Sequence, residues 1–242
     1  MIYAIICEKG GVGKTATAEA MCDGLRQRGK NVLVIDLDGQ RNITAGMSAD
    51  NTKPTIYQVL TGNVTTAEAI QHTRRGDLIA GDRRISDIRS APAGTLRDAL
   101  EDVRSQYDAI IIDCAPGRGP LTANAIVAAD ELIIPVTADA YCLQALGGIR
   151  ATIQEAQKAG RAVKIRGLLI TRYLGRTIVH REISTMINDV AAKLDTVVFK
   201  TKIRECSAIR TAQANKQGIF EAAPRSNAAK DYGAFLDELE GK

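Results

Sequence analysis

The sequence predicts an α/β fold: a doubly wound, mostly parallel sheet with helices on both of its faces. Short apolar runs rich in Val and Ile alternate along the chain with segments of helical periodicity. The apolar runs lack the regularly spaced polar residues of a half-exposed strand, which indicates strands that are buried on both faces. With 242 residues and 45% hydrophobic composition, the chain can build a substantial core, so we expect a single domain over residues 1–242.

The predicted elements follow one another without a low-complexity linker. We expect buried strands at Ile2–Ile6, Val32–Ile35, Ala109–Ile112, Leu132–Val136, Arg166–Thr171 and Val197–Phe199. We expect the main helices at Thr15–Arg28, Gly94–Ser105, Leu121–Ala128, Tyr141–Ala159, Val179–Leu194 and Ala208–Lys216. The segment from Ser48 to Ser90 is the least clear, and its weaker patterns indicate short helices at Ile56–Leu60 and Ala67–His72 and a short strand at Leu78–Ala80.

Composition argues against several classes of protein. No apolar stretch approaches the ~18 residues that a membrane span requires, and Met1 leads directly into the first predicted strand rather than into a signal peptide. The five cysteines are odd in number, widely spaced and form no C-x-x-C pair, which is typical of a reduced protein. We therefore expect a cytoplasmic location.

The most informative segment is the glycine-rich run from Lys9 to Thr15. It follows an apolar strand and opens a helix, which is the context of a phosphate-binding loop. Glycines allow positive φ angles and bring backbone N–H groups close to phosphate oxygens, while the helix N-terminus adds partial positive charge. Lys14 can reach the β- and γ-phosphates, and the Thr15 hydroxyl can bind Mg²⁺. We predict a triphosphate site formed by Lys9, Gly10, Gly11, Val12, Gly13, Lys14, Thr15 and Ala16.

Carboxylates follow two of the predicted strands. Asp36 and Asp38 come at the end of the second strand and point the same way on an extended chain, so both could reach a Mg²⁺ ion and its waters. Asp113 ends the apolar run Ala109–Ile112, which is a Walker B pattern, and we expect it to hold Mg²⁺ through water. Thr15, Asp36 and Asp113 are thus the predicted metal-binding residues.

Positive charge is concentrated in the last part of the chain. Residues 150–230 contain 16 Lys and Arg against 6 Asp and Glu, whereas the remaining residues contain 16 against 22. A basic region favours a polyanionic partner, although a solvated face of mixed charge would explain it about equally well on its own. In combination with a triphosphate site, nucleic acid is the better interpretation.

The run K-G-G-x-G-K-[ST] resembles the deviant Walker A loop of the ParA/MinD family of ATPases. In that family the first lysine reaches across a dimer interface to the nucleotide of the other subunit. The segment Asp36–Asn42 is similar to the family's D-x-D-P-Q-x-N stretch, where the second aspartate helps to position or activate the attacking water. The resemblance implies that the nucleotide is ATP and that Lys9, Lys14 and Asp38 are catalytic.

The stretch Ile203–Glu221 resembles a further signature of the family, in which a strand leads into a helix with Ala-Gln and then Gly-x-x-Phe-Glu. In this sequence those residues are Ala212-Gln213 and Gly218-Ile219-Phe220-Glu221. In the family this region usually lies near the adenine and contributes to the DNA-binding face. The resemblance therefore extends over nearly the whole chain.

The sequence departs from the family pattern in several places. Gly39 replaces a usual proline and should loosen its loop, and Arg41 replaces a small residue and adds a cation. Ala115 and Arg204 also stand where prolines are usual, and Glu8 stands where MinD-type loops tend to retain glycine. These differences should affect the rate and its regulation more than the chemistry.

The resemblance implies a Mg-ATP-dependent ATPase that dimerises around ATP, binds double-stranded DNA without sequence preference, and drives plasmid or chromosome partition. It implies a centromere-binding ParB-like partner and a nucleoid-associated location. The chain ends in acidic residues rather than in the basic amphipathic helix of MinD-type proteins, so we expect no membrane partner. The candidate DNA contacts, chosen for charge and clustering, are Arg181, Lys200, Lys202, Arg204, Arg210 and Lys216.

Two alternatives remain open. The first is an ATPase that positions a non-DNA cargo on the nucleoid, which the sequence cannot separate from DNA partition because a partner would recognise the cargo. The second is a small-molecule kinase or ligase on the same P-loop scaffold. It would need an acceptor pocket, and the sequence contains no evident second set of polar residues to build one.

Overall fold

Seven strands form one sheet in the computed structural model. They are β1 (Ile2–Ile5), β2 (Val32–Leu37), β3 (Ile70–Thr73), β4 (Gly76–Ile79), β5 (Ala109–Cys114), β6 (Glu131–Thr137) and β7 (Lys164–Thr171). Their order across the sheet is β3-β4-β2-β5-β1-β6-β7. Each neighbouring pair is parallel except β3 and β4, which form an antiparallel hairpin. The predicted mostly parallel sheet is confirmed.

Helices connect the strands. They are α1 (Lys14–Gln27), α2 (Asn42–Gly46), α3 (Ile56–Leu60), α4 (Thr66–Ala69), α5 (Thr95–Leu100), α6 (Pro120–Ala128), α7 (Cys142–Lys158), α8 (Ile178–Lys193), α9 (Ser207–Ala214), α10 (Ile219–Ala222) and α11 (Asn227–Glu240), with 3₁₀ turns at Arg83–Asp87 and Arg104–Gln106. The structure describes residues 1–88, 90–139, 142–158, 163–175 and 178–242, without the side chains of 142–145, 155–158, 178–182 and 184. Within these ranges, every helix is too short or too polar to cross a membrane.

The core lies on both faces of the sheet because successive strand residues point to opposite sides. In β2, Leu33 and Ile35 pack into one cluster of buried side chains, whereas Val32 and Val34 pack into the other. All six residues of β2 and all six of β5 are buried. Their continuous apolar character follows from this position in the middle of a sheet covered by helices on both sides.

Strands β2, β5 and β1 are neighbours in the sheet, and their carboxyl ends lie side by side. Asp113 of β5 pairs in register with Ile5 of β1 and with Asp36 of β2. The glycine-rich loop begins directly after β1, so the topology brings the phosphate loop and these two carboxylates together.

Some predictions of local structure differ from the structure, and one helix was missed. The predicted helix Ala67–His72 is wrong in its second half, because α4 ends at Ala69 and the chain continues as β3, pairing with β4. The predicted buried strand Val197–Phe199 forms only an isolated bridge between Val198 and Leu168 of β7, and Val197 is 58% exposed. The helix α11 was not predicted, although its buried face includes Tyr232 and Phe235.

Candidate nucleotide-binding site

The glycine-rich loop joins β1 to α1 in the backbone conformation that its sequence allows. Gly11 and Gly13 have φ angles of 74° and 87°, in the left-handed region that favours glycine. Thr171, at the end of β7, donates from its hydroxyl to the carbonyl of Val12 at 2.7 Å. The loop is therefore fixed to the sheet, with the N-terminus of α1 directly after Gly13.

The two lysines of the loop have different partners. Lys14 is buried and donates from Nζ to the carbonyls of Cys7 and Lys9, at 3.1 Å each. Lys9 turns instead to the end of β6, where it donates to the Thr137 hydroxyl at 3.2 Å and forms an ion pair with Asp139. The ammonium of Lys14 thus lies inside the loop that would enclose phosphates, whereas that of Lys9 is held at its outer side.

Asp113 is a buried carboxylate whose oxygens lack partners. It is 1% exposed, and neither oxygen makes a hydrogen bond to the described residues. Burial raises its pKa well above the usual value, and the nearby Asp36 charge raises it further, while Thr15 and Lys14 act in the opposite direction. The Thr15 hydroxyl is thus close, although outside normal hydrogen-bond geometry. An unpaired carboxylate in such a place is costly, and a Mg²⁺ ion with its waters would supply the missing partners, so Thr15 and Asp113 fit that metal.

Asp36 is fully engaged within the protein. One carboxylate oxygen accepts from the backbone N–H of Asp38 at 3.0 Å, and the other accepts from the backbone and hydroxyl of Thr44 at 3.0 and 2.5 Å. Burial raises the pKa of Asp36 to about 6, against the lowering effect of these bonds. Asp36 thus holds the loop that carries Asp38. Its Oδ1 accepts a single hydrogen bond, so its predicted contact with Mg²⁺ or a metal-bound water stays a prediction.

Asp38 borders the cavity in front of the phosphate loop. Its Oδ1 accepts from the backbone N–H of Gln40 at 2.9 Å, and its carbonyl accepts from the N–H of Arg41. Arg41 has a positive φ of 58° and donates to Asn51 at 2.5 Å. The turn is therefore ordered, and the extra cation contacts Asn51 in the segment after α2.

A cavity of about 750 Å³ extends from the phosphate loop to the start of α9. This volume is typical of small-ligand sites, which occupy about 300–1,000 Å³. At its far wall, Glu205 accepts from Arg172 at 2.9 Å and from Arg210 at 3.1 Å. Arg172 also donates to the carbonyl of Gly11 at 3.4 Å, so this charged group links the far wall to the loop.

A buried polar network supports the helix that follows the phosphate loop. Arg75, from the turn of the β3–β4 hairpin, contacts Glu19 and Asp23 of α1 at 3.2 and 2.6 Å and the carbonyl of Gly46 at 3.1 Å. Gln213 of α9 donates to the other oxygen of Glu19 at 2.9 Å. Burial raises the pKa of both Glu19 and Asp23, although Arg75 opposes it.

Sequence reasoning missed Arg75, Glu19 and Glu205. Among the residues that contact Glu19, the sequence pointed only to Gln213, which belongs to the Ala-Gln pair that resembles the family's signature.

The candidate DNA contacts fall into separate environments. Arg204, Arg210 and Lys216 border the nucleotide cavity. Arg204 forms a bidentate ion pair with Asp231 of α11, and its closest N–O distance is 2.6 Å. Lys200 is exposed, and the ammonium of Lys202 lies 4.6 Å from the ring centre of Tyr173. The side chain of Arg181, in α8, lies outside the described residues.

The parallel sheet, the glycine loop at the end of β1 and the carboxylate at the end of β5 define a P-loop nucleotide-binding protein. The AAA_31 family, described as an AAA domain, matches residues 1–165, and the chain belongs to this family, within its ParA/Soj type. The chromosome-partitioning ATPase Soj of Thermus thermophilus is 32% identical over 98% of this chain and 94% of its own length. The chromosome partitioning protein ParA of Caulobacter vibrioides is 32% identical over 84% of this chain and 79% of its own.

Solved structures support the same fold. Apo McdA of Cyanothece superposes with a TM-score of 0.88 at 23% identity, covering 99% of both chains, which establishes the fold alone. A putative plasmid partition protein of Borrelia burgdorferi bound to AMPPNP gives 0.82 at 25% identity, covering 99% of this chain and 97% of that one. Cobyrinic acid a,c-diamide synthase of Mycobacterium smegmatis, with ADP and magnesium, gives 0.83 at 27% identity, covering 99% and 93%.

Proposed function

We propose that this chain is a Mg-ATP-dependent ATPase that dimerises around ATP, binds double-stranded DNA without sequence preference, and drives plasmid or chromosome partition. The observation that carries the proposal is the pair of lysines in one phosphate loop, with Lys14 buried inside it and Lys9 held at its outer face. Similarity to Soj over nearly the whole length of the chain supports the cellular role.

Each residue of the site has its own role in the proposed hydrolysis of ATP. Lys14 exchanges its two loop carbonyls for oxygens of the β- and γ-phosphates, and the loop N–H groups bind the remaining oxygens. Thr15 and Asp113, with Asp36 beside them, would hold Mg²⁺, which would neutralise charge on the phosphates. Asp38, which borders the cavity, orients the attacking water.

Lys9 completes the site of a second copy. Its ammonium lies at the outer side of the loop, where it pairs with Asp139, and it must leave this partner to reach another subunit. Dimerisation would therefore exchange the contacts of Lys9 with Thr137 and Asp139 for charge-assisted contacts with phosphate oxygens. The single domain of residues 1–242 would contribute one half of a two-fold assembly.

The DNA-binding surface would draw on the basic segment between β7 and α9. Lys200 lies in the loop before α9. Its backbone N–H and that of Thr201 donate to the carboxylate of Glu238 in α11, at 2.7 and 3.0 Å. Arg204 is less available because Asp231 already neutralises it. A ParB-like protein would stimulate hydrolysis, and the bound form would be located on the nucleoid in the cytoplasm.

The decisive experiment measures binding to random-sequence duplex DNA without nucleotide and with ADP, ATP or a slowly hydrolysed ATP analogue. The proposal predicts binding only with triphosphates, which weakens as salt rises. DNA binding that is independent of nucleotide, or absent in every nucleotide state, would reject it. Positioning of a non-DNA cargo on the nucleoid would give the same binding result, and identification of the protein's cellular cargo separates the two roles.

A second candidate function is ATP-dependent ligation of a small molecule. It is favoured by the 27% identity with cobyrinic acid a,c-diamide synthase and by a second cavity of about 870 Å³ that shares Lys216 with the nucleotide cavity. Its test is ATP turnover in the presence of carboxylic acid and amide-donor substrates. Turnover that requires such an acceptor, and does not respond to DNA, would establish this role in place of partition.

A further inference from the structure

The residue before the first loop lysine joins the phosphate loop to the segment that follows Asp113. The carbonyl of Glu8 accepts from the backbone N–H of Gly117 at 3.0 Å. The carboxylate of Glu8 forms an ion pair with the next residue, Arg118. Backbone and side chain of one loop residue thus hold two consecutive residues of the Asp113 segment.

This contact involves the same stretch of loop that positions both lysines. Lys14 donates to the carbonyls of Cys7 and Lys9, the residues on either side of Glu8. The carbonyl of Glu8 itself is directed to Gly117. Residues 7–9 therefore bind the phosphate-loop lysine and the Asp113 segment through alternate carbonyls, so both sets of contacts depend on the same three residues.

Helix α7 leaves room for the ion pair at one position. A Cβ atom at Gly148 would overlap the guanidinium of Arg118 and both carboxylate oxygens of Glu8. Gly148 has no positive φ that would call for glycine, and it lies inside a helix, where glycine costs about 1 kcal/mol relative to alanine. The close approach of the ion pair is thus the reason the structure offers for a glycine there.

We infer that Glu8 and Arg118 are positioning residues, which clamp the segment after Asp113 against the phosphate loop so that the metal-binding carboxylate and the two lysines keep a fixed separation. The inference rests on the proposed ATPase function and adds to it a residue pair outside the lining of the nucleotide cavity. The partly exposed pair, with side chains 22% and 54% exposed, contributes through geometry more than through stability.

The test combines Glu8→Gln, Gly148→Ala and the charge-exchanged double variant Glu8→Arg with Arg118→Glu. Gly148→Ala displaces the pair while both of its members remain, and only flexible side-chain ends have to move. Asp98→Asn, which removes the exposed Asp98–Arg97 pair on α5, is the matched control. Each variant is analysed by amide hydrogen exchange without nucleotide, by ATP binding, by kcat and by Tm.

Glu8→Gln and Gly148→Ala should both speed exchange in peptides covering residues 8–13 and 115–119 and lower kcat about tenfold, with the Kd for ATP unchanged. The Tm should be unchanged in Glu8→Gln and no lower than that of the wild type in Gly148→Ala, because alanine favours the helix. The double variant should recover part of both effects. Unchanged exchange in Glu8→Gln, or a fall in Tm with faster exchange along the whole chain, would overturn the inference. Wild-type protein without ATPase activity would refute the proposed function instead, while the exchange data would still decide whether the clamp exists.

Discussion

Lys9 of the phosphate loop is ion-paired with Asp139, two residues beyond the end of β6. The Thr137 hydroxyl donates to the same Asp139 carboxylate at 2.6 Å and accepts from Lys9, so the three groups form a closed set of contacts. Lys9 therefore has both of these acceptors at the end of β6, whereas Lys14 donates to carbonyls within the loop. The two lysines should therefore be separable by mutation.

Lys9→Ala should leave ATP binding by the monomer intact and abolish ATP-dependent dimerisation. Lys14, which is proposed to make the phosphate contacts within the subunit, is unchanged in this variant. Size-exclusion chromatography with light scattering, with a slowly hydrolysed ATP analogue, measures the dimer, and equilibrium titration measures binding. A dimer as stable as that of the wild type would show that Lys9 does not act across the interface.

Lys14→Ala should weaken nucleotide binding by at least about a hundredfold, because it removes the cation closest to the predicted phosphate position. The variant also leaves the carbonyls of Cys7 and Lys9 without this donor, so Tm is measured in parallel. Titration with a fluorescent ATP analogue gives the Kd. A folded variant with wild-type affinity would contradict the assignment of the loop.

Asp38→Asn should slow ATP hydrolysis by about 10²-fold or more while dimerisation and DNA binding persist. Asparagine keeps an oxygen that can accept from the N–H of Gln40, so the turn is retained and only the charge is removed. Phosphate release and DNA binding with ATP are measured on the same preparation. Wild-type turnover would remove Asp38 from the water-orienting role.

Arg75→Met should destabilise the fold by about 3–5 kcal/mol, since it leaves Glu19 and Asp23 buried without their cation. The destabilisation should be greater at pH 7.5 than at pH 5. Carboxyl groups with raised pKa values bind more protons in the folded state, so stability falls as pH rises from their ordinary pKa through the raised one. Urea unfolding at both pH values measures this, with Arg97→Met as an exposed control. Equal destabilisation at the two pH values would show that removal of Arg75 does not change the protonation of these carboxylates.

Lys200→Ala with Lys202→Ala should lower the slope of log K against log salt for DNA by about 2, near 0.9 for each phosphate that is no longer neutralised. Arg204→Ala should have a smaller effect, because Asp231 already engages its guanidinium. Filter binding of random duplex DNA over a salt series gives the slopes, with Lys30→Ala as a control outside the basic region. Identical slopes for the double variant and the wild type would exclude these lysines from the interface.

The elements that could be predicted are those whose signal is local. Buried strands such as β5 are continuous apolar runs, and Asp113 stands at the end of one, so both could be recognised from the sequence. The hairpin of β3 and β4 could not, because Ile70–Thr73 becomes a strand only by pairing with Gly76–Ile79. Its four residues carry too short a pattern to distinguish a strand from a continued helix.

The parts of the site that were missed depend on long-range contacts. Arg75 lies in the least clear segment of the sequence, and its partners on α1 are more than 50 residues away. Charge counts identified Arg204 as a candidate for DNA binding, but they could not reveal that Asp231, on an unpredicted helix, would neutralise it. In both cases the deciding fact is the identity of the neighbour in space.

In the loop that carries Asp38, the residue that position 39 can accept depends on the residue at position 86. A Cβ at Gly39 would lie 2.5 Å from the Ser86 hydroxyl and 3.6 Å from the carbonyl of Arg83. A side chain at position 39, including that of proline, therefore requires the Ser86 hydroxyl to rotate away or to be absent. The two positions form an epistatic pair, in which Ser86→Ala should make Gly39→Pro easier to accommodate.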